Sequence, residues 1–205
     1  MTDFDSWQSE SEDQIVSAVQ LRRWTREEYD RMIDAGVLTT EDRVELVDGE
    51  IVTMTPQKSR HATAVSLAGR ALQGAFGEHF VVRTQLPLAP DAISEPEPDL
   101  AVVVGSPRDY RDAHPATAVL IVEVADSSLA FDRTRKAAVY ARAGIADYWL
   151  LNLIDEVLEV HRQPEAAPDA RHRWRYASVE RYAAQDRVAP LAQPDRPIVV
   201  ADLLP

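Results

Sequence analysis

Val119-Leu120-Ile121-Val122-Glu123-Val124 decides the reading of this chain. It is an apolar run of strand length interrupted by one carboxylate. A charged residue inside an apolar strand is costly to bury unless something pairs with it. A second run, Pro98-Asp99-Leu100-Ala101-Val102-Val103-Val104, carries another acid at its start. Two carboxylates on neighbouring strands, with Lys136 shortly after the second, form the donor set that a divalent cation and an activated water require.

Working outward, Asp132-Arg133-Thr134-Arg135-Lys136-Ala137-Ala138-Val139-Tyr140-Ala141-Arg142-Ala143-Gly144 reads as a helix with Asp132 at its N-cap and Gly144 just past its end. Strands are expected at 148–153 and 157–162, then a Pro/Ala loop over 163–171 and a further strand at 172–176. A short strand and turn are expected over 197–204. Upstream, Asp48-Gly49 between two alternating runs (residues 44–54) is a hairpin signal. The Ala-rich stretch 61–76, followed by Gly77, predicts a helix. Residues 79–86 predict a strand, and 87–98 a proline-rich connection. Thr25 and Glu28 make a capping box, and Trp24 and Tyr29 are spaced for a hydrophobic staple, so a helix should run to Ala35 and stop at Gly36. The order of elements predicts a mixed α/β (α+β) fold, a mixed central sheet flanked by helices.

The chain's 205 residues suit one domain with a core, expected over 21–205, preceded by an acidic flexible tail over 1–20. With no cysteine, disulfides and Cys-based zinc sites are excluded. No signal peptide or membrane-spanning run is visible, and a cytoplasmic location is expected. The net charge of −12 argues against tight, general DNA binding. Five acids and no base fall within residues 1–13, and the remainder is still acidic.

Alternation along a strand places residue 125 on the same face as Glu123. In the common PD-(D/E)XK nuclease pattern that second position is lysine; here it is Ala125. Lys136, in the first turns of the next helix, is the replacement, its long stem supplying reach. The expected chemistry has Asp99 and Glu123 holding Mg²⁺ (Mn²⁺ as substitute) with water and the backbone carbonyl of Val124. The ion would lower the pKa of a water and offset charge on a phosphate. Lys136 would position that water, and Glu45 would add a ligand or orient it. Arg108, Arg111, Arg133 and Arg135 are the candidates for phosphate contacts.

Each residue also has a plainer reading. Asp99 can begin a strand by capping backbone groups, Glu123 can be one half of a buried ion pair, and Lys136 a solvated helix lysine. Glu45 can be an exposed strand residue. For His61 a helix-capping role is expected, for Asp126 a turn, for Asp132 the N-cap, and for Tyr148 and Trp149 the core.

The blocks Glu45-Leu46-Val47-Asp48-Gly49-Glu50-Ile51, Pro98-Asp99-Leu100-Ala101-Val102-Val103, Val122-Glu123-Val124-Ala125-Asp126-Ser127-Ser128 and Asp132–Tyr140 resemble, in order and spacing, the Uma-two family of restriction-endonuclease-like proteins. Gly144-Ile145-Ala146-Asp147-Tyr148-Trp149-Leu150-Leu151 continues the resemblance, which covers roughly Thr25 to Arg162. It implies a PD-(D/E)XK-type fold, often a homodimer, with a metal site at Asp99 and Glu123, the lysine at Lys136 and an upstream acid at Glu45. The family commonly has a Leu-Ser-Pro-like stretch after its Glu-Val, where this chain has Ala125-Asp126-Ser127.

Two functions are consistent with these residues. One is a Mg²⁺-dependent endonuclease hydrolysing DNA phosphodiester bonds. The other is a non-catalytic interaction domain on the same scaffold, binding a protein partner while its acidic surface excludes nucleic acid.

Overall fold

A computed structural model describes residues 21–205 except residue 55, so the expected acidic tail over 1–20 lies outside the described residues. Helix α1 (Arg26–Asp34) opens on Thr25, whose hydroxyl accepts from the Glu28 amide while the Glu28 carboxylate accepts from the Thr25 amide. Strands β1 (Val44–Val47) and β2 (Glu50–Thr53) pair antiparallel through the turn Asp48-Gly49. Both turn residues have positive φ, 51° and 76°, the backbone of a two-residue hairpin whose twist matches its strands. A Cβ at Gly49 would lie 2.6 Å from the Cβ of Arg23, so the turn admits only glycine there.

Helix α2 (Ser59–Phe76) begins two residues before the expected start at His61. The central sheet runs in the order β3 (Phe80–Thr84), β4 (Leu100–Val104), β5 (Leu120–Ala125), β6 (Asp147–Asn152), β7 (Val157–Ala166), β8 (Trp174–Tyr182). Every neighbouring pair is antiparallel except β5–β6. Parallel neighbours need a crossover, and helix α3 (Leu129–Arg142) supplies it. Strands β7 and β8 are longer than expected: Pro164 pairs with Tyr176, so half of the expected loop over 163–171 is strand. Proline is tolerated there because β7 has outrun β6, whose ladder ends at Asp147↔Arg162. The short strands β9 (Arg187–Val188) and β10 (Ile198–Val199) pair antiparallel, and Val200 and Leu203 beyond them are buried.

The sheet is covered on both faces. On one, Val65, Leu72 and Phe76 of α2 pack on Leu100, Leu120 and Val122. On the other, Ala137, Val139 and Tyr140 of α3 pack on Ala101, Ile121 and Tyr148. Alternation sends the even residues of β5 to the first core and the odd ones to the second. That is why the strand reads as a continuous apolar run and why Glu123, an odd position, faces α3. Tyr148 and Trp149 are core residues, as expected.

Helix α3 corrects one reading. It runs as α-helix over Leu129–Phe131, as a wider π turn over Asp132–Lys136, and as α-helix again over Ala137–Arg142. Asp132 is therefore not the N-cap: it lies inside the helix and is buried. The Ala137 amide reaches back to the Asp132 carbonyl, five residues away, which is the π spacing. The wider turn carries both buried charges of the helix, Asp132 and Lys136, toward the sheet.

Candidate active site

The four acids and bases expected at the site meet at one end of β4 and β5. The Lys136 Nζ lies 3.1 Å from Glu123 Oε1 and 3.1 Å from Glu45 Oε1. Asp99 accepts from the Val124 amide at 2.9 Å, and its own amide donates to Glu123 Oε2 at 3.2 Å. The β4–β5 ladder ends at Leu100↔Val122, so beyond it the backbone of Val124 is open to the Asp99 carboxylate rather than to a strand partner. The amide and carbonyl of one strand residue face the same edge, which sets the Val124 carbonyl beside Asp99. Glu45 reaches the cluster from β1, and the Glu97 amide donates to its Oε2 at 2.9 Å.

Three further residues complete the arrangement. His61 Nε2 is 3.0 Å from Asp99 Oδ1, so His61 serves the acid instead of capping its helix, which starts a half-turn earlier. The Gln85 amide donates to the same oxygen at 3.1 Å, from a backbone held at φ 51°. The Tyr140 hydroxyl donates to Glu123 Oε1 at 2.7 Å. Tyr140 stands four residues after Lys136, one helical turn along the same face, and this spacing was its only trace in the sequence. Gln85 left none.

The electrostatics follow from burial and crowding. Burial pushes the Glu123 carboxyl well above its ordinary range, and Asp132, Asp99 and Glu45 add to this while Lys136 opposes it. Asp132 is raised for the same first reason, with Lys136 and the Ser128 hydroxyl opposing. For Asp99 burial also raises, but the hydrogen bond and charge of His61 and the Val124 amide outweigh it, leaving the carboxyl below its usual value. Burial lowers His61, and Asp99 more than restores it. Burial lowers Lys136, and Glu123 and Glu45 more than offset this, holding it well above the ordinary lysine value.

The cluster forms one wall of a cleft of about 400 Å³, to which Glu45, Asp99, Glu123, Asp132, His61 and Lys136 all contribute. Within the cluster itself the carboxylates of Glu45, Asp99, Glu123 and Asp132 face one ammonium and one imidazole, a crowding of acids that a divalent cation would offset. No group of three or more acidic or histidine side chains among the described residues is spaced to close around an ion. The groups here that could hold such a cation are the Asp99 and Glu123 carboxylates and the Val124 carbonyl.

The arginines expected to meet phosphate are placed otherwise. Arg133 binds Glu159 through two nitrogens, and Arg135 binds Glu50 at 2.7 Å and the Val47 carbonyl at 2.9 Å. Arg108 and Arg111 follow the far end of β4 from Asp99, and Arg111 pairs with Asp112. Carboxylates claimed Arg111, Arg133 and Arg135, which composition alone does not reveal.

A six-stranded mixed sheet with a helix on each face, gathering carboxylates where two central strands part, is a restriction-endonuclease-like fold. The chain belongs to the Uma2 (Uma-two) family, described as "Putative restriction endonuclease", whose pattern matches residues 26–194. Among solved structures, a protein of Anabaena variabilis ATCC 29413 described as "a putative nuclease belonging to DUF820" shares the fold. Its TM-score is 0.61 at 14% identity, over 83% of this chain and 94% of that one. No curated protein matches the sequence. Among the described residues no helix is long and apolar enough to cross a membrane.

Proposed function

We propose that this protein is a metal-dependent nuclease that hydrolyses DNA phosphodiester bonds. The observation that carries the reading is the convergence of Asp99, Glu123, Lys136 and Glu45, drawn from four separate elements, on the wall of one cleft. Family membership supports it independently.

Asp99, Glu123 and the Val124 carbonyl would hold Mg²⁺ or Mn²⁺. When bound, the ion supplies Lewis acidity, lowering the pKa of a water and offsetting charge on the phosphate. Lys136 keeps its proton through Glu45 and Glu123 and presents a fixed positive charge where negative charge grows on the phosphoryl oxygens. Glu45 thus acts through Lys136. His61 and Gln85 hold the Asp99 carboxylate in one orientation, and Tyr140 does the same for Glu123. Such support matters because misplacing a catalytic group by about 1 Å can lower rate about 100-fold. Lys58 and Arg43 on the cleft rim are the cations placed to meet the substrate's phosphates.

The second reading, a non-catalytic interaction domain, draws on one specific observation: both oxygens of Asp99 and both of Glu123 already accept from protein donors. The test is cleavage of supercoiled plasmid and single-stranded oligonucleotides with Mg²⁺ or Mn²⁺, beside folded Asp99→Ala and Lys136→Ala variants. Metal-dependent cleavage lost in both variants is the expected result. Absence of cleavage on every substrate, with metal binding intact, would move the function to the interaction domain.

A further inference from the structure

The catalytic cleft does not end at the carboxylates. A second pocket of about 410 Å³ adjoins it, and Arg43, Met54, Gln57, Glu97 and Asp99 line both. Away from this shared wall Tyr29, Ile33, Leu38 and Val44 give it an apolar side. The Tyr29 hydroxyl is already satisfied, donating to the Val44 carbonyl at 2.9 Å, so its ring needs no polar partner. Ile33 is 45% exposed and neighbouring Val37 67%, so water covers apolar surface here. Thr39, Thr40 and Gln85 supply hydrogen-bonding groups to the same pocket.

Charge separates the possible occupants. Duplex DNA is gripped largely through phosphates on both strands by basic surface. Here Arg133, Arg135, Arg142 and Arg162 are each paired with carboxylates, and the chain's net charge is −12. A single strand instead offers unpaired bases, and contacts between bases and aromatic or apolar side chains carry much of such binding. A pocket of about 410 Å³ falls in the range of roughly 300–1,000 Å³ that admits small organic groups.

We propose that this second pocket receives an unpaired nucleobase next to the scissile phosphate, so that the substrate is single-stranded or locally unpaired nucleic acid. The inference rests on the nuclease reading for the position of that phosphate. Asp99 lines both pockets and would link them: the phosphate would meet the divalent ion that its carboxylate would hold, and the adjoining base would drop past Met54 toward Leu38 and Ile33.

The test measures binding and cleavage separately. Binding is read by fluorescence anisotropy of a labelled 12-nucleotide strand, its duplex, and an abasic strand of the same length, in Ca²⁺ with full-length protein. The single strand should bind at least tenfold more tightly than the duplex, and the abasic strand should lose that advantage. Leu38→Asp and Ile33→Glu, each checked for folding by circular dichroism, should weaken single-strand binding about tenfold, in line with the typical weight of one base contact. Ile154→Glu, at a position 59% exposed in the β6–β7 turn, should not. Equal binding of duplex and single strand, full binding of the abasic strand, or indifference of both pocket variants would overturn the proposal. So would failure to bind any nucleic acid. Cleavage in Mg²⁺ decides the nuclease reading on its own: single-strand preference without cleavage leaves the pocket and removes the enzyme, and cleavage indifferent to strandedness does the reverse.

Discussion

Asp99 and Glu123 are joined by reciprocal backbone hydrogen bonds: the Asp99 amide donates to Glu123 Oε2 at 3.2 Å, and the Asp99 carboxylate accepts from the amide that follows Glu123 at 2.9 Å. Each acid therefore helps place the other, and the end of the β4–β5 ladder becomes the frame of the site.

Crowded carboxylates should respond to cations. Millimolar Mg²⁺ or Mn²⁺ should raise the melting temperature, since a ligand at about 100 times its Kd stabilises by about 2.7 kcal/mol. Differential scanning fluorimetry of Asp99→Ala and Glu123→Ala should show that rise abolished. A full rise in both variants would place metal binding elsewhere.

Lys136→Met keeps the length of the side chain and removes its charge. Cleavage should fall by at least 100-fold. Breaking a buried ion pair typically destabilises by about 3–5 kcal/mol because a charge is left unpaired. The Glu123 carboxyl is already pushed up by burial and would rise further. A carboxyl whose folded pKa is raised stabilises least at high pH, where the unfolded state ionises freely, so the deficit should be larger at pH 8 than at pH 5. Urea titrations at both pH values check this; an equal deficit would show that packing, not charge, had been lost.

Arg142 clamps the β1–β2 hairpin. It binds Asp48 at 2.8 Å and Asp91 at 2.8 Å, while Arg135, on the same helix, holds Glu50. These contacts set the hairpin that carries Glu45. Hydrogen bonds to charged groups contribute roughly 1.5–3 kcal/mol each, so Arg142→Met should lower stability by about 2 kcal/mol. It should also reduce kcat more than it raises KM, because Glu45 acts on Lys136 rather than on substrate. Steady-state kinetics on an oligonucleotide resolve the two; a change in KM alone would contradict the clamp.

His161 gives the protein an acid-sensitive core. It packs between Tyr148 and Tyr176, its ring centroid 5.2 Å and 5.9 Å from theirs, and burial lowers its pKa to about 4. A buried base with a depressed folded pKa binds fewer protons than its unfolded form, so stability is lost as pH falls from about 6.5 to about 4. That interval corresponds to about 3 kcal/mol. His161→Phe should flatten the stability profile across it, measured by chemical denaturation in steps of pH; an unchanged slope would show that other groups govern acid unfolding.

The acids and the lysine were legible because each breaks a local rule. Glu123 interrupts an apolar strand, Asp99 opens another, and Lys136 follows in a helix whose apolar face was visible. Asp48-Gly49 was legible for a similar reason, since few dipeptides accept two left-handed residues in succession. The extension of β7 beyond Arg162 was not, because Pro164 signals a loop unless the neighbouring strand has already ended, and the strand expected at 172–176 covered only the start of β8. Asp132 read as a cap because a π turn leaves no mark on periodicity.

The sequence by itself determined which segments could be strands, which helices would cover them, and which charges would have no local partner. Strand alternation and capping act between residues a few positions apart, and so they survive in the linear order. Only the tertiary structure decided that His61 serves Asp99 across 38 residues, that Tyr140 serves Glu123 across 17, and that Arg135 is spent on Glu50 across 85. Those contacts depend on where the α3 crossover and the long connections deliver their ends, which is settled by packing against both faces of the sheet.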